Sequence, residues 1–285
     1  RGGNQKLEVN AYGRVMKEIE KNDGVLGEKI DLSLDARLQT KAFELLGEES
    51  GAIVLMDVHN GEILAFASTP SYDPNLMVTG ISNEDWKTLV NNERHPLTNK
   101  VIAGRYSPGS TFKMIVALAG LESGAIKPET RFFCAGKMFL GSHPFHCWKH
   151  SGHGYLDVVQ ALQHSCDIFF YETAQKVGIE KIADMARRLG LGEKVGIGLD
   201  NENAGLIPDK AWKQRTRKEP WHPGETLISG IGQGYILTTP IQLVTMMSRL
   251  VNGGYEVRPS FLRVSEEEQK NIKKINLSQT YLDIV

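Results

Sequence analysis

The stretch Arg105-Tyr106-Ser107-Pro108-Gly109-Ser110-Thr111-Phe112-Lys113 decides how the rest of the chain is read. It runs on through Met114 to Leu121 without a charge, so Ser110 to Leu121 reads as a helix that is apolar nearly all round and therefore buried. On such a helix Ser110 and Lys113, three residues apart, share one face. A serine hydroxyl is a weak nucleophile until a base takes its proton, and an amine is a base only where its surroundings favour the uncharged form. A buried helix supplies those surroundings, and the N–H groups at its start favour negative charge developing beside Ser110. The competing reading is a capping serine followed by a surface lysine. The four-residue pattern alone does not separate the two.

Working outward, the elements are mixed rather than alternating. Asp35 is placed to cap a helix with apolar positions Leu38, Ala42, Leu45 and Leu46. Gly51–Val58 and Glu62–Ser68 are β-rich runs joined through Asn60-Gly61, a hairpin signal. Downstream of the nucleophile helix, residues 128–154 read as a loop rich in Gly, His and aromatics. Helices follow over Asp157–Val177, interrupted near Ser165, and over Ile179–Leu189, closed by Gly190. Thr239 and Pro240 open another helix that ends at Asn252-Gly253-Gly254, and Tyr255–Val264 reads as a strand. The first thirty residues look like the edge of a separate unit, with one short helical stretch around Val15–Ile19. Early strands, a block of helices and a late strand give an α+β fold class.

Composition narrows the function. The 285 residues carry a formal net charge of -1, so no long-range field gathers a nucleic acid, and no nucleic-acid partner is expected. The longest uninterrupted apolar run, Met114–Leu121, is too short to cross a bilayer.

The segment Arg105–Lys113 closely resembles the active-site stretch of penicillin-binding protein transpeptidases, in which S-x-x-K is the first of three motifs. Asp57, Asn60 and Gly61–Ala67 resemble the family's opening hairpin, and Gly230-Ile231-Gly232-Gln233-Gly234 with Thr239-Pro240-Ile241-Gln242 resembles its late G-Q-G and T-P-x-Q stretch. The match runs from about Leu32 to Val264. His164 to Tyr171 and the cysteines look most like the class B, cell-elongation type. The resemblance implies a penicillin-binding protein transpeptidase (serine β-lactamase-like) fold, an antiparallel sheet with helices on both faces. Residues 1–30 would end a non-catalytic pedestal and 31–285 would form the transpeptidase domain.

The second motif matches Ser165-Cys166-Asp167, which makes Ser165 a proton relay and Asp167 its orienting group. The alternative is a plain helix break. The third motif is missing: no Lys-Thr-Gly or Lys-Ser-Gly occurs in the chain. In the family that strand binds the substrate carboxylate and supplies one oxyanion-hole N–H, the other coming from the nucleophile serine. The expectation is a shortened chain with impaired acylation.

Cys134, Cys147 and Cys166 fall in one window with His143, His146, His150, His153 and His164. Three thiolates and one imidazole would form a closed tetrahedral zinc site of the structural kind. One disulfide with a free thiol, or buried cysteines serving as small hydrophobes, are the alternatives. The elongation-type resemblance selects Cys134, Cys147, His153 and Cys166, with His150 as the substitute ligand. No organic cofactor is expected. The implied activity is D,D-transpeptidation of D-Ala-D-Ala stem peptides through an acyl-enzyme on Ser110, at the periplasmic face of the bacterial inner membrane. β-Lactams would acylate the same serine. A membrane glycosyltransferase and scaffold proteins would be its partners in cell-wall elongation. The rivals are a serine β-lactamase or β-lactam sensor, and a non-catalytic scaffold domain.

Overall fold

The computed structural model describes residues 2–78 and 80–285, which divide into two compact units, one ending at Leu32 and the other beginning at Ser33. In the first, β1 (Asn4–Val9) and β2 (Val15–Asn22) pair antiparallel. The helical expectation for Val15–Ile19 is thus corrected to a strand. Turn chemistry overrides local propensity there: the Asn10 side chain accepts the N–H groups of Tyr12 and Arg14 at 3.0 Å each, and Gly13 takes a φ of 77°.

The second unit opens with α1 (Ala36–Leu46), capped by Asp35 as expected. The antiparallel hairpin of β3 (Gly51–Met56) and β4 (Ile63–Thr69) follows. Strand alternation gives this hairpin two apolar faces. Ile53, Ala65 and Ala67 pack with Ala42 and Leu46 of α1, while Ala52, Val54 and Phe66 face a second cluster containing Val101, Ile197, Ile241 and Val257. The fold is α+β, an antiparallel hairpin with helices on both faces.

Two short helices, α2 (Asn75–Val78) and α3 (Asn83–Val90), and α4 (Lys100–Ala103) lead to the nucleophile segment. That segment is a 3₁₀ turn, Gly109–Phe112, before α5 (Lys113–Glu122). Residues 128–154 are not a loop throughout. They carry β5 (Phe132–Cys134), β6 (Lys137–Leu140), β7 (His143–His146) and β8 (Gly154–Leu156), paired as β5 with β8 and β6 with β7. The strands are three or four residues long, too short for their alternation to register in sequence.

The helical block comprises α6 (Val158–Gln163), α7 (Asp167–Val177), α8 (Ile179–Arg188), α9 (Lys210–Arg217), α10 (Pro223–Ser229) and α11 (Pro240–Val251). Its core joins Ile115, Leu118, Phe169, Phe170, Ile182 and Leu189. The Thr239 capping box explains the T-P-x-Q stretch: Gln242 is fully buried and donates to the carbonyls of Glu193 and Ala204 at 2.7 and 2.8 Å. Tyr255–Val264 forms isolated bridges rather than a strand, Ser260 beside Glu62 and Tyr255 beside Lys274. Pro259 has no N–H with which to extend a ladder. Helices α12 (Glu266–Lys270) and α13 (Gln279–Ile284) close the chain. No helix among the described residues is long and apolar enough to cross a membrane.

One ion pair ties α9 to α10. Lys213 Nζ lies 2.5 Å from Glu225 Oε1, with Tyr235 close to the ammonium. Burial opposes ionisation of Glu225, yet the His222 backbone N–H and the Lys213 ammonium outweigh it and hold the carboxyl below its ordinary value. A depressed carboxylate contributes stability that is complete above its unfolded value and is lost as pH falls. Urea denaturation should therefore find Glu225→Gln less stable than wild type by a constant margin above about pH 5, and by a shrinking margin below about pH 4. A margin independent of pH would contradict the ion pair's contribution.

Candidate active site

Two stitches set the nucleophile. Tyr106 and Thr238 exchange both backbone hydrogen bonds, at 2.9 and 2.8 Å, and Gly109 N–H donates to Gly232 O at 3.0 Å. The second contact demands glycine: Gly232 has a φ of 71°, and a Cβ there would lie 2.2 Å from Gly109 O. The G-Q-G stretch is thus a backbone buttress beneath the turn that carries Ser110.

Ser110 sits in the 3₁₀ turn, one turn before Lys113 begins α5. Burial on α5 leaves the Lys113 side chain 2% exposed. Its Nζ donates to Asp167 Oδ1 at 2.6 Å, Ser165 O at 2.9 Å and Ser165 Oγ at 3.0 Å, which uses all three ammonium donors. The Phe170 ring lies 5.7 Å away. Ser165 Oγ in turn lies 2.8 Å from Ser110 Oγ. The serine and the lysine of the first motif therefore meet through the serine of the second, a refinement of the direct proton sharing expected from helical spacing.

The Ser165 backbone has a φ of 50°, in the left-handed region. The cause is local. Ser165 N–H bonds Leu162 O and Cys166 N–H bonds Ala161 O, the pattern that ends a helix with a left-handed residue, usually glycine. Here serine takes the glycine position at the end of α6, and Cys166 then caps α7. The expected interruption near Ser165 is a helix end and a reactive hydroxyl at once.

Cys134, Cys147, His153 and Cys166 converge, their ligand atoms all within 4.8 Å of one another. Strand pairing brings them there: Cys134 stands opposite Gly154, and His153 N–H donates to Cys134 O at 3.0 Å. Two glycines permit the crossing, since a Cβ at Gly136 would meet His150 O at 2.0 Å and one at Gly152 would meet Cys134 O at 2.1 Å. All three cysteines are buried and free of disulfides. His150 is not in this group, although it lines the opening above Ser110 with His146, Trp148, Tyr171 and Gln233. Burial pushes the Cys147 and Cys166 thiols up and the His153 imidazole down. Burial, with the nearby Asp167 charge, pushes the Tyr171 phenol up to about 12.

Sequence reading missed Trp148. Its backbone N–H donates to Asp167 Oδ2 at 2.9 Å, and its indole N–H reaches the carbonyls of His164 and Ser165 at 3.1 Å each. Its position immediately after Cys147 is the only signal the chain offers for it.

The family model for the penicillin binding protein transpeptidase domain matches residues 51–285. The chain is 41% identical over 272 residues to the peptidoglycan D,D-transpeptidase MrdA of Salmonella typhimurium strain LT2, covering 95% of this chain and 44% of that protein. Among solved structures, Pseudomonas aeruginosa PBP2 in complex with WCK 5153 is 40% identical, with a TM-score of 0.87 across 93% of this chain and 59% of that one. The complex of PBP2 with MreC from Helicobacter pylori gives 33% identity and a TM-score of 0.85, across 99% and 53%. The chain thus spans less than half the length of its Salmonella relative.

The left-handed Ser165 separates two substitutions that both remove the hydroxyl. Ser165→Gly is expected to be more stable than Ser165→Ala by about 1 kcal/mol, because only alanine keeps the strained Cβ. Thermal unfolding of the two variants checks this. Equal midpoints would mean that the helix end relaxes out of the left-handed conformation.

Proposed function

The chain belongs to the penicillin-binding protein transpeptidase family, and from that premise we propose that it forms the acyl-transfer core of a peptidoglycan D,D-transpeptidase. The observation that carries this reading is the continuous chain Ser110 Oγ, Ser165 Oγ, Lys113 Nζ and Asp167 Oδ1, with no link longer than 3.0 Å. Ser110 attacks the carbonyl between two D-Ala residues of a stem peptide. Its proton passes to Ser165 as Ser165 passes its own to Lys113, which must first shed one ammonium proton so that Nζ accepts from Ser165 Oγ instead of donating to it. Negative charge collects on the carbonyl oxygen, toward which the Ser110 backbone N–H is one donor. Return of the proton through Ser165 releases D-Ala, and the amine of a second stem peptide then takes the acyl group. A β-lactam would enter by the same first step and remain on Ser110. Asp167 orients the lysine, and the Trp148 backbone N–H holds its other oxygen.

Zinc at the cysteine and histidine group is part of the proposal. An ion with Zn–S of about 2.3 Å and Zn–N of about 2.0–2.1 Å in tetrahedral geometry sets sulfur and nitrogen about 3.6 Å apart. His153 Nδ1 lies 3.6 Å from both Cys134 Sγ and Cys147 Sγ, which supports the fit. The ion would supply no Lewis-acid step. Cys166 lies between Ser165 and Asp167, and Cys147 precedes Trp148, so the ligands would anchor both sides of the relay. We place the domain at the periplasmic face of the inner membrane, working with a membrane glycosyltransferase and scaffold proteins of the elongation machinery. The MreC complex of the Helicobacter relative supports the scaffold partner.

Two outcomes are expected in the complete protein. Ser110→Ala abolishes covalent labelling by a fluorescent penicillin in intact-mass measurements, and labelling that survives the substitution would sink the nucleophile assignment. Zinc, measured by elemental analysis, falls from one equivalent to below a tenth in the Cys134→Ala/Cys147→Ala variant. Stoichiometric zinc in that variant would refute the ligand set.

A further inference from the structure

The Ser165 carbonyl accepts two hydrogen bonds, from Lys113 Nζ at 2.9 Å and from the Trp148 indole N–H at 3.1 Å. It belongs to the one residue of the proton chain whose backbone is in the left-handed region. Such a backbone persists only when its surroundings hold it, and these two donors hold the peptide plane from opposite partners. The same indole N–H reaches the His164 carbonyl, so it clasps the two residues at the end of α6. Burial does not account for Trp148, because the residue is 61% exposed. One edge of its ring meets His153, with centroids 5.3 Å apart at 64°, and the residue lines the opening above Ser110. Nor does tryptophan's bulk account for it. The feature used is a ring N–H that donates and never accepts, which phenylalanine lacks.

We propose that Trp148 is a positioning residue for acyl transfer, whose indole N–H sets the Ser165 peptide and so aims the Ser165 hydroxyl between Ser110 and Lys113. The proposal rests on the acyl-transfer reading of this site. It makes the loop of residues 134–153 part of the reaction geometry rather than a support for a metal alone. The backbone contact from Trp148 to Asp167 does not depend on the side chain, so substitution isolates the indole.

The test uses the complete protein and stopped-flow acylation by a fluorescent penicillin, with Trp148→Phe as the main variant and Trp148→Ala as the second. Trp148→Phe is expected to lower the limiting acylation rate roughly fivefold to tenfold, the effect of one lost hydrogen bond, with the half-saturating penicillin concentration unchanged. Zinc content and thermal midpoint stay at wild-type values. Trp148→Ala loses at least as much rate. An unchanged limiting rate in Trp148→Phe overturns the proposal. So does a rate loss that appears only together with lost zinc or a lowered midpoint, because that is the signature of a purely structural residue. Wild-type protein that takes no label would instead overturn the acyl-transfer reading on which the proposal stands.

Discussion

An ammonium enclosed in protein must find an acceptor for every N–H, and Lys113 finds all three on one short loop. That constraint organises the rest. The acceptors come from Ser165 and Asp167, more than fifty residues further along the chain, so the end of α6 and the start of α7 must lie against the start of α5. The packing of Ile115 and Leu118 with Phe169 and Phe170 holds them there. Truncating Asp167 would leave the buried Lys113 charge without its ion-pair partner, which costs more than the pair's net contribution.

The loop that satisfies Lys113 is itself unusual in its backbone. Serine occupies a helix-end position that glycine normally takes, so the hydroxyl is held at the cost of a left-handed residue. Several neighbours share that restraint: Lys113 and Trp148 on its carbonyl, and the converging cysteines and His153 on its flanks. Opposite this loop, the Gly109 carbonyl comes too close to the Gly232 backbone for any side chain at Gly232, which fixes the other wall. The nucleophile thus lies between two segments that each depend on close backbone approach.

Much of this was legible in the sequence. The apolar run after Lys113 announced a buried helix, and punctuation announced α1, α8 and α11 almost to the residue. Four of the clustered Cys and His residues were separable from the rest only through resemblance, because strand pairing across Gly136 and Gly152 brings them together over a distance that spacing does not encode. The strands of 132–156 escaped for the same reason, being too short to show alternation. At Val15–Ile19 a turn built by Asn10 and Gly13 outweighed helical composition. Trp148 escaped because its task is set by an indole N–H meeting carbonyls sixteen and seventeen residues away, which no periodicity marks.

The central claim is that Ser110 is the atom donor to the acyl-enzyme and that Ser165 and Lys113 serve it. Peptide mapping by mass spectrometry of the complete protein after reaction with benzylpenicillin and digestion with trypsin tests this most directly. The account predicts one penicilloyl adduct, on the peptide running from Tyr106 to Lys113, with fragment ions placing it on Ser110. An adduct on any other residue, Ser165 included, would contradict it.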